Sequence, residues 1–317
     1  MLNIIAEFCQ NHNGDWDILK RMIAEAAEGG ASHVKIQSIF SDDLSYREEF
    51  ENGQVDKSGE TICIKRPYKE EYDRLKPLEI SYEQHGKFID LCKQSGLIPM
   101  TTAFTIDSID KLKNLGFNHL KIASYDCGAL ALIKKAAENF SHLFISTGAT
   151  FDSEIETTAN FLNENDYSFS FLHCVTMYPT PLDAMNLKRM DYLKQFTSSV
   201  GLSEHSKYAL NGIKACLAAI YLGADVIERH FTVLPAEDSR DGVVSIYKKD
   251  LALMNEFASY SQQEQKNYID GNIPEFSAML GADKRDLTKA ELLNRAYYRG
   301  RFCNRKDGKQ IFNWDAK

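Results

Sequence analysis

The chain has 317 residues, 44% of them apolar and 26% charged, and a formal net charge of -8. That length exceeds the usual ~100–200 residues of one domain, yet α/β barrels routinely run longer as a single unit. The acidic balance excludes a nucleic-acid footprint, which needs a basic face, but leaves a phosphorylated small substrate open, because a few local lysines outweigh a mildly acidic surface.

The opening MLNIIAEFCQ has no basic stretch and no cleavage site, so it does not read as a signal peptide. No apolar run approaches the ~20 residues of a membrane span. Seven cysteines without CxxC pairs point to reduced thiols and a cytoplasmic protein. Cys92, Cys174 and Cys216 sit in apolar segments and read as small core residues.

Leu2–Phe8 reads as a strand that ends in a polar loop, QNHNG. Asp15 or Asp17 caps a helix reaching Glu28, and Gly29-Gly30 ends it. SHVKIQS is a second strand, followed by a long polar stretch, Ile39–Leu78, of the kind that is functional or mobile. Tyr82–Gln94 is a helix with Ser81 as its N-cap. The rhythm then becomes regular. LIPMTTAF, HLKIAS, HLFISTG and YSFSFLHC are strands, with helices in IDSIDKLKNLG, ALALIKKAAEN, SEIETTANFLNEN and DAMNLKRMDYLKQF. SSVGLSEHS, a helix over Leu210–Leu222 and DVIERHF supply the seventh strand, its helix and the eighth strand, and Tyr247–Gln265 is the eighth helix. Eight such alternations with short connections imply an all-parallel α/β sheet closed as a (β/α)8 TIM barrel over residues 1–266. Residues 267–317 form a short C-terminal extension, with a strand expected over Tyr297–Phe302 and a turn at KDGK.

In such a barrel the active site lies at the C-terminal ends of the strands. If VGLSEHS and DVIERHF are adjacent parallel strands, His205 and His230 emerge side by side. With a carboxylate on strand one and Asp241 beyond strand eight, they read as metal ligands. Imidazole and oxygen donors suit Mn, Zn, Fe or Co, without choosing among them. Lys35, Lys121 and Arg229 lie inside otherwise apolar strands and are expected to face anions in the barrel. Beside Ser124, Ser146 and Ser203 they describe a cradle for a phosphate and a carboxylate. His12, His33, His85, His119 and His142 are read as structural.

The blocks AEFCQNHNG, GGASHVKIQ, LKIAS, ISTG, LHCVTMYPTP, GLSEHS and IERHFT, over about residues 3–250, resemble in order those of the sialic acid synthase (N-acetylneuraminate synthase) family. The resemblance implies a transferase that condenses phosphoenolpyruvate with a sugar aldehyde, N-acetylmannosamine-like, to a 2-keto-3-deoxy sugar acid, releasing phosphate. It implies a divalent metal at His205 and His230, typically Mn2+, with Mg2+ or Co2+ as alternatives. Lys35, Thr102, Lys121, Ser124, Ser146 and Ser203 match positions that hold phosphoenolpyruvate. Glu7, Asp126, Lys121 and Tyr178 are the expected catalytic residues, and Gln37, Tyr178 and Asp241 face the sugar. Asp126 stands where the family has glutamate, Cys127-Gly128 replaces a more polar pair, and Thr176 replaces an asparagine. The tail is too short for the family's complete antifreeze-like domain, whose arginine reaches the partner subunit's sugar. A homodimer is expected from the resemblance, and Arg299, Arg301 or Arg305 would substitute if the tail crossed to a partner; a solvated basic strand is the plainer expectation. Two other readings stand beside the synthase: a metal-dependent pyruvate aldolase or lyase, and a barrel that binds without turnover.

Overall fold

A computed structural model describes residues 2–315. Eight parallel strands close into one barrel: β1 (Asn3–Cys9), β2 (His33–Gln37), β3 (Ile98–Thr102), β4 (His119–Ile122), β5 (His142–Ser146), β6 (Phe169–Cys174), β7 (Val200–Glu204) and β8 (Val226–His230). Each pairs with its neighbour in sequence, and β8 closes the ring on β1, with Ile4 opposite Ile227 and Glu7 opposite His230. Around it run α1 (Trp16–Glu28), α2 (Tyr82–Gln94), α3 (Ile109–Leu115), α4 (Leu130–Ala137), α5 (Asp152–Glu164), α6 (Arg189–Leu193), α7 (Lys214–Tyr221) and α8 (Lys248–Ser259).

Strand alternation sorts the side chains. Ile4, Ala6 and Phe8 of β1 join the large core between strands and helices, as do Val34 and Ile36 of β2. The opposite parity points inward, where Ile5, Met100, Phe144, Leu172 and Val226 form a small separate apolar cluster. Below it, the rings of His33, His119 and His142 lie against one another and against Phe144. Burial pulls His33 down to about 3 and His142 to about 4, so both rings are neutral and serve as packing and hydrogen-bonding groups, as expected of structural histidines.

Asp15, not Asp17, caps α1, accepting the amides of Asp17 and Ile18. Ser81 and Gln84 form a capping box at α2. Three expected helices end differently. The sixth shrinks to the 3-10 turn Leu182–Ala184 and α6, because Asn186 takes a positive φ of 50° between them. The seventh breaks at Gly212, whose φ of 52° and ψ of -124° suit a residue without Cβ, and resumes at Lys214. The eighth stops at Ser259, because Ser261 caps a new helix, α9 (Gln262–Asn272).

The long stretch after β2 is folded rather than loose. It holds the helical turn Ser41–Asp43, the short helix Glu49–Asn52, a hairpin of Gln54–Val55 with Thr61–Cys63, and the helix Tyr68–Leu75. The strand expected over Tyr297–Phe302 does not form. A capping box of Thr288 and Glu291 starts α10 (Lys289–Tyr298), and helix continues through the aromatic pair. The KDGK turn is present, joining β9 (Asn304–Lys306) to β10 (Lys309–Ile311) through positive φ at Asp307 and Gly308. Among the described residues, no helix is long and apolar enough to cross a membrane.

Candidate active site

At the C-terminal ends of the strands lies a cavity of about 410 Å³. Glu7, Gln37, Lys35, Thr102, Lys121, Ser124, Asp126, Ser146, Tyr178, Ser203, His205, His230 and Asp241 all line it. The strand register explains this convergence: Glu7 sits opposite Lys35 on one side and His230 on the other, Thr102 opposite Lys121, and Ser203 opposite Glu228. All carry the inward parity of their strands.

The floor of the cavity is a buried polar network. Lys35 forms an ion pair with Glu7, donates to Thr102 Oγ1 at 3.1 Å, and lies 3.7 Å from Glu228. Lys121 donates to Ser146 Oγ at 2.6 Å and lies 3.6 Å from the other oxygen of Glu228. Ser203 donates to Glu228 at 2.8 Å. Burial alone would raise the Glu228 carboxyl, but Lys121 and Lys35 outweigh it and hold the group at about 2. Burial pulls Lys35 down to about 7, with Lys121 working in the same direction and Glu228 against it. Two ammonium groups share two carboxylates, so an arriving anion finds both cations assembled and has only to compete for them. Above this floor, Gly148 brings the β5 loop close to Ser124: a Cβ there would stand 2.7 Å from Thr176 Cγ2 and 3.0 Å from Ser124 Oγ.

His205 and His230 emerge from adjacent strands with ring centroids 5.3 Å apart. Burial lowers both pKa values, with His230 adding to the lowering at His205 and Asp241 opposing it at His230, leaving neutral imidazoles suited to a metal. His205 Nε2 shares a hydrogen bond of 2.8 Å with the Tyr178 hydroxyl. His230 Nδ1 is buried without a hydrogen-bond partner and lies 3.5 Å from Asp241 Oδ2. Donor atoms of Cys9, His230 and Asp241 all fall within 4.8 Å of one another. An orphaned imidazole nitrogen beside a carboxylate and a thiol is a donor set that fits a divalent transition metal. Asn11 supports it, accepting the Asp241 amide at 2.7 Å. Cys9 takes a positive φ of 45° at an irregularity in β1, and Glu7 accepts its amide.

Asp126 is set apart from the lysines. Its carboxylate accepts from Asn313 Nδ2 at 3.0 Å, and burial lifts it to about 6, against the lowering pull of Asn313 and Arg299. Asn313 belongs to the extension, which folds back over this barrel. Asn294 donates to the Thr176 carbonyl at 2.8 Å, Tyr298 stacks on Tyr125, and Arg295 and Arg299 reach Glu154 at 2.6 and 2.8 Å. Of the extension's arginines, Arg305, exposed on β9, matches the expected solvated basic strand. Arg299 and Arg301 pair with Glu154 and Glu71 of the same chain, and Arg305 donates to the Leu44 carbonyl.

Arg229 also departs from expectation. It has the outward parity, is fully buried, and pairs with Glu204 while donating to the carbonyls of Val244 and Ser206, so it ties β8 to the helical layer. Glu228 and Cys9 are the residues the sequence reading left without a role. Parity with Val226 and His230 marks Glu228 as inward, whereas Cys9 reaches the cavity through the irregularity in β1, which strand parity does not foretell.

A closed parallel barrel with an anion cradle and metal-type donors at the C-terminal ends of its strands defines a (β/α)8 enzyme. Residues 22–268 match the NeuB family, and the chain belongs to it. It is 32% identical to the N,N'-diacetyllegionaminic acid synthase of Campylobacter jejuni, over 84% of this chain and 78% of that relative. It is 31% identical to the N,N'-diacetyllegionaminic acid synthase of Legionella pneumophila, over 98% of this chain and 83% of the relative. The crystal structure of an N-acetylneuraminic acid synthetase from Leptospira borgpetersenii aligns with a TM-score of 0.67 at 29% identity, covering 93% of this chain and 90% of that one. The chain is thus an enzyme of a family of sugar-acid synthases.

Proposed function

We propose that the protein condenses phosphoenolpyruvate with a sugar aldehyde of the aminohexose type, forming a 2-keto-3-deoxy sugar acid and releasing phosphate, in the cytoplasm. The observation that carries this reading is the pair of lysines, each held between a hydroxyl and a carboxylate at the floor of the cavity. In the proposed complex, Lys35 and Lys121 exchange part of their contact with Glu7 and Glu228 for the phosphate and carboxylate of phosphoenolpyruvate. Thr102, Ser124, Ser146 and Ser203 complete the cradle as hydroxyl donors. Gln37, Tyr178 and Asp241 orient the sugar above it.

Cys9, His205, His230 and Asp241 would hold a divalent metal, which when bound supplies Lewis-acid polarisation of an aldehyde oxygen. The enol carbon of phosphoenolpyruvate bonds to the aldehyde carbon, water adds to the carbon bearing the carboxylate, and the former aldehyde oxygen takes up a proton to become the new hydroxyl. Asp126, which lines the cavity apart from the lysines, is assigned the proton of that water. Phosphate leaves by C–O cleavage, its charge met by the lysines.

The test is phosphate release with phosphoenolpyruvate, divalent metal and a panel of aldoses. Turnover of free pyruvate in place of phosphoenolpyruvate would overturn the reading in favour of an aldolase. Two further outcomes follow from the same reading. As Asp126 must be ionised to accept a proton, kcat/KM is expected to rise with pH through about 6, where its proton leaves. Asp126→Asn should retain only residual activity and lose that limb of the pH–rate profile. A thiol among the donors is softer than an all-imidazole-and-oxygen set, and favours zinc, iron or cobalt over manganese. Cobalt-loaded protein should then show a thiolate-to-metal charge-transfer absorption that Cys9→Ser lacks; an identical spectrum in the variant would remove Cys9 from the ligand set.

A further inference from the structure

Four arginines line the same cavity: Arg240 from the loop after β8, and three from elements outside the barrel's strand-to-helix loops around the metal donors. Arg66 and Arg74 belong to the insertion after β2, and Arg301 to the extension after α10. One carboxylate serves Arg74 and Arg301. Glu71 accepts from Arg74 Nε at 2.9 Å and Nη2 at 2.8 Å, and also pairs with Arg301. Arg66 makes a single side-chain hydrogen bond in the described structure, to the Lys65 carbonyl at 3.1 Å. Arg74 Nη1 and Arg301 Nε are buried and have no hydrogen-bond partner.

That arrangement is costly as it stands. A buried donor without a partner has lost its hydration with nothing in return, and arginine cannot relieve the cost by giving up its proton. Guanidinium forks match the paired oxygens of phosphate and carboxylate, which would satisfy the orphaned N–H groups and balance the excess positive charge. The lysine cradle at the ends of the barrel strands is almost fully buried, while Arg66 is exposed and the side chains of Arg74 and Arg301 are 29% and 12% exposed. A single acceptor with its aldehyde toward His205 and His230 would therefore carry its far end toward the arginines.

We propose that Arg66, Arg74 and Arg301 form an anion subsite for the distal end of the acceptor, so that the preferred sugar aldehyde bears a terminal phosphate or carboxylate. This rests on the synthase reading and narrows its substrate class. It assigns specificity to the insertion and the extension rather than to the barrel.

The experiment compares three aldoses of the same stereochemistry: neutral, phosphorylated at the terminal carbon, and oxidised there to a carboxylate. Phosphate release is measured with each, at fixed phosphoenolpyruvate and metal. The expected result is a kcat/KM at least about tenfold higher for one anionic acceptor than for the neutral one, carried by KM. In R66M and R301M that ratio should fall by about tenfold or more. R66M guards against misfolding, because Arg66 has little structural bonding to lose. Equal use of the neutral and anionic acceptors by the native protein, or an unchanged ratio in both variants, would overturn the subsite. Calorimetric titration of the phosphorylated aldose without phosphoenolpyruvate provides a readout independent of turnover. Binding that weakens in R66M supports the subsite even if no acceptor is turned over, a result that would defeat the synthase reading alone. Absence of binding to the native protein overturns the subsite.

Discussion

Lys121→Met is expected to lower kcat/KM for phosphoenolpyruvate about a thousandfold. The lysine is one of two cations at the floor of the cavity, held 2.6 Å from Ser146 Oγ and 3.6 Å from Glu228. In a site closed to water, loss of one preorganised donor to a developing anion costs about 10²–10³ in rate. Lys121 would have two tasks, binding the incoming anion and stabilising the departing phosphate, which places the effect at the upper end. Methionine retains most of the aliphatic stem, so packing changes little. Glu228 would keep Lys35 and Ser203 as partners, and the thermal midpoint should fall only modestly, short of the ~3–5 kcal/mol that follows when a buried charge loses its partner outright. Phosphate-release kinetics and a thermal melt on the same preparation check both halves. An unchanged kcat/KM would remove Lys121 from the substrate cradle.

His230→Ala is expected to have a comparable effect through a different measurable. The variant should bind a divalent metal more than a hundredfold more weakly, beyond the 10–100-fold typical of losing a group that merely supports a ligand. Metal content after dialysis, read by mass spectrometry, should fall from one equivalent to a trace. Chelation should likewise silence the native protein, and added divalent metal should restore it but not the variant. The structural reason is that His230 Nδ1 has no hydrogen-bond partner although it is buried beside Asp241. The loss of that nitrogen costs no hydrogen bond, while the loss of the ring removes its packing against Tyr178 and His205, so a thermal melt accompanies the metal measurement. Full metal occupancy in the variant would refute the assignment.

The barrel was legible because hydrophobic alternation and regular spacing are local signals, repeated eight times. The convergence of Lys35, Lys121, His205 and His230 followed once the strands were taken as parallel, since parity alone decides which side chains face inward. Arg229 was misplaced because a charged residue in an apolar strand draws attention to itself; its neighbours Glu228 and His230 had already claimed the inward parity. Glu228 carries the inward parity, and Cys9 enters the cavity only through the irregularity in β1, which no local pattern in the sequence marks. The extension was the least legible. Its alternating aromatics suggested a strand over Tyr297–Phe302, whereas the Thr288–Glu291 capping box governs the segment. Its contacts with Asp126, Thr176 and Glu154 join residues more than a hundred positions apart, which no local pattern encodes.

Those contacts have a temporal consequence. During synthesis the barrel strands leave the ribosome first, and the segment carrying Asn294, Arg301 and Asn313 follows. At about 5–20 residues per second, there is an interval of seconds in which β1 can already close on β8 while Asp126 still lacks Asn313. In that interval the chain has a floor and walls but no ceiling. The contacts that the extension makes with Asp126, Thr176 and Glu154 are therefore the last of this barrel end to form.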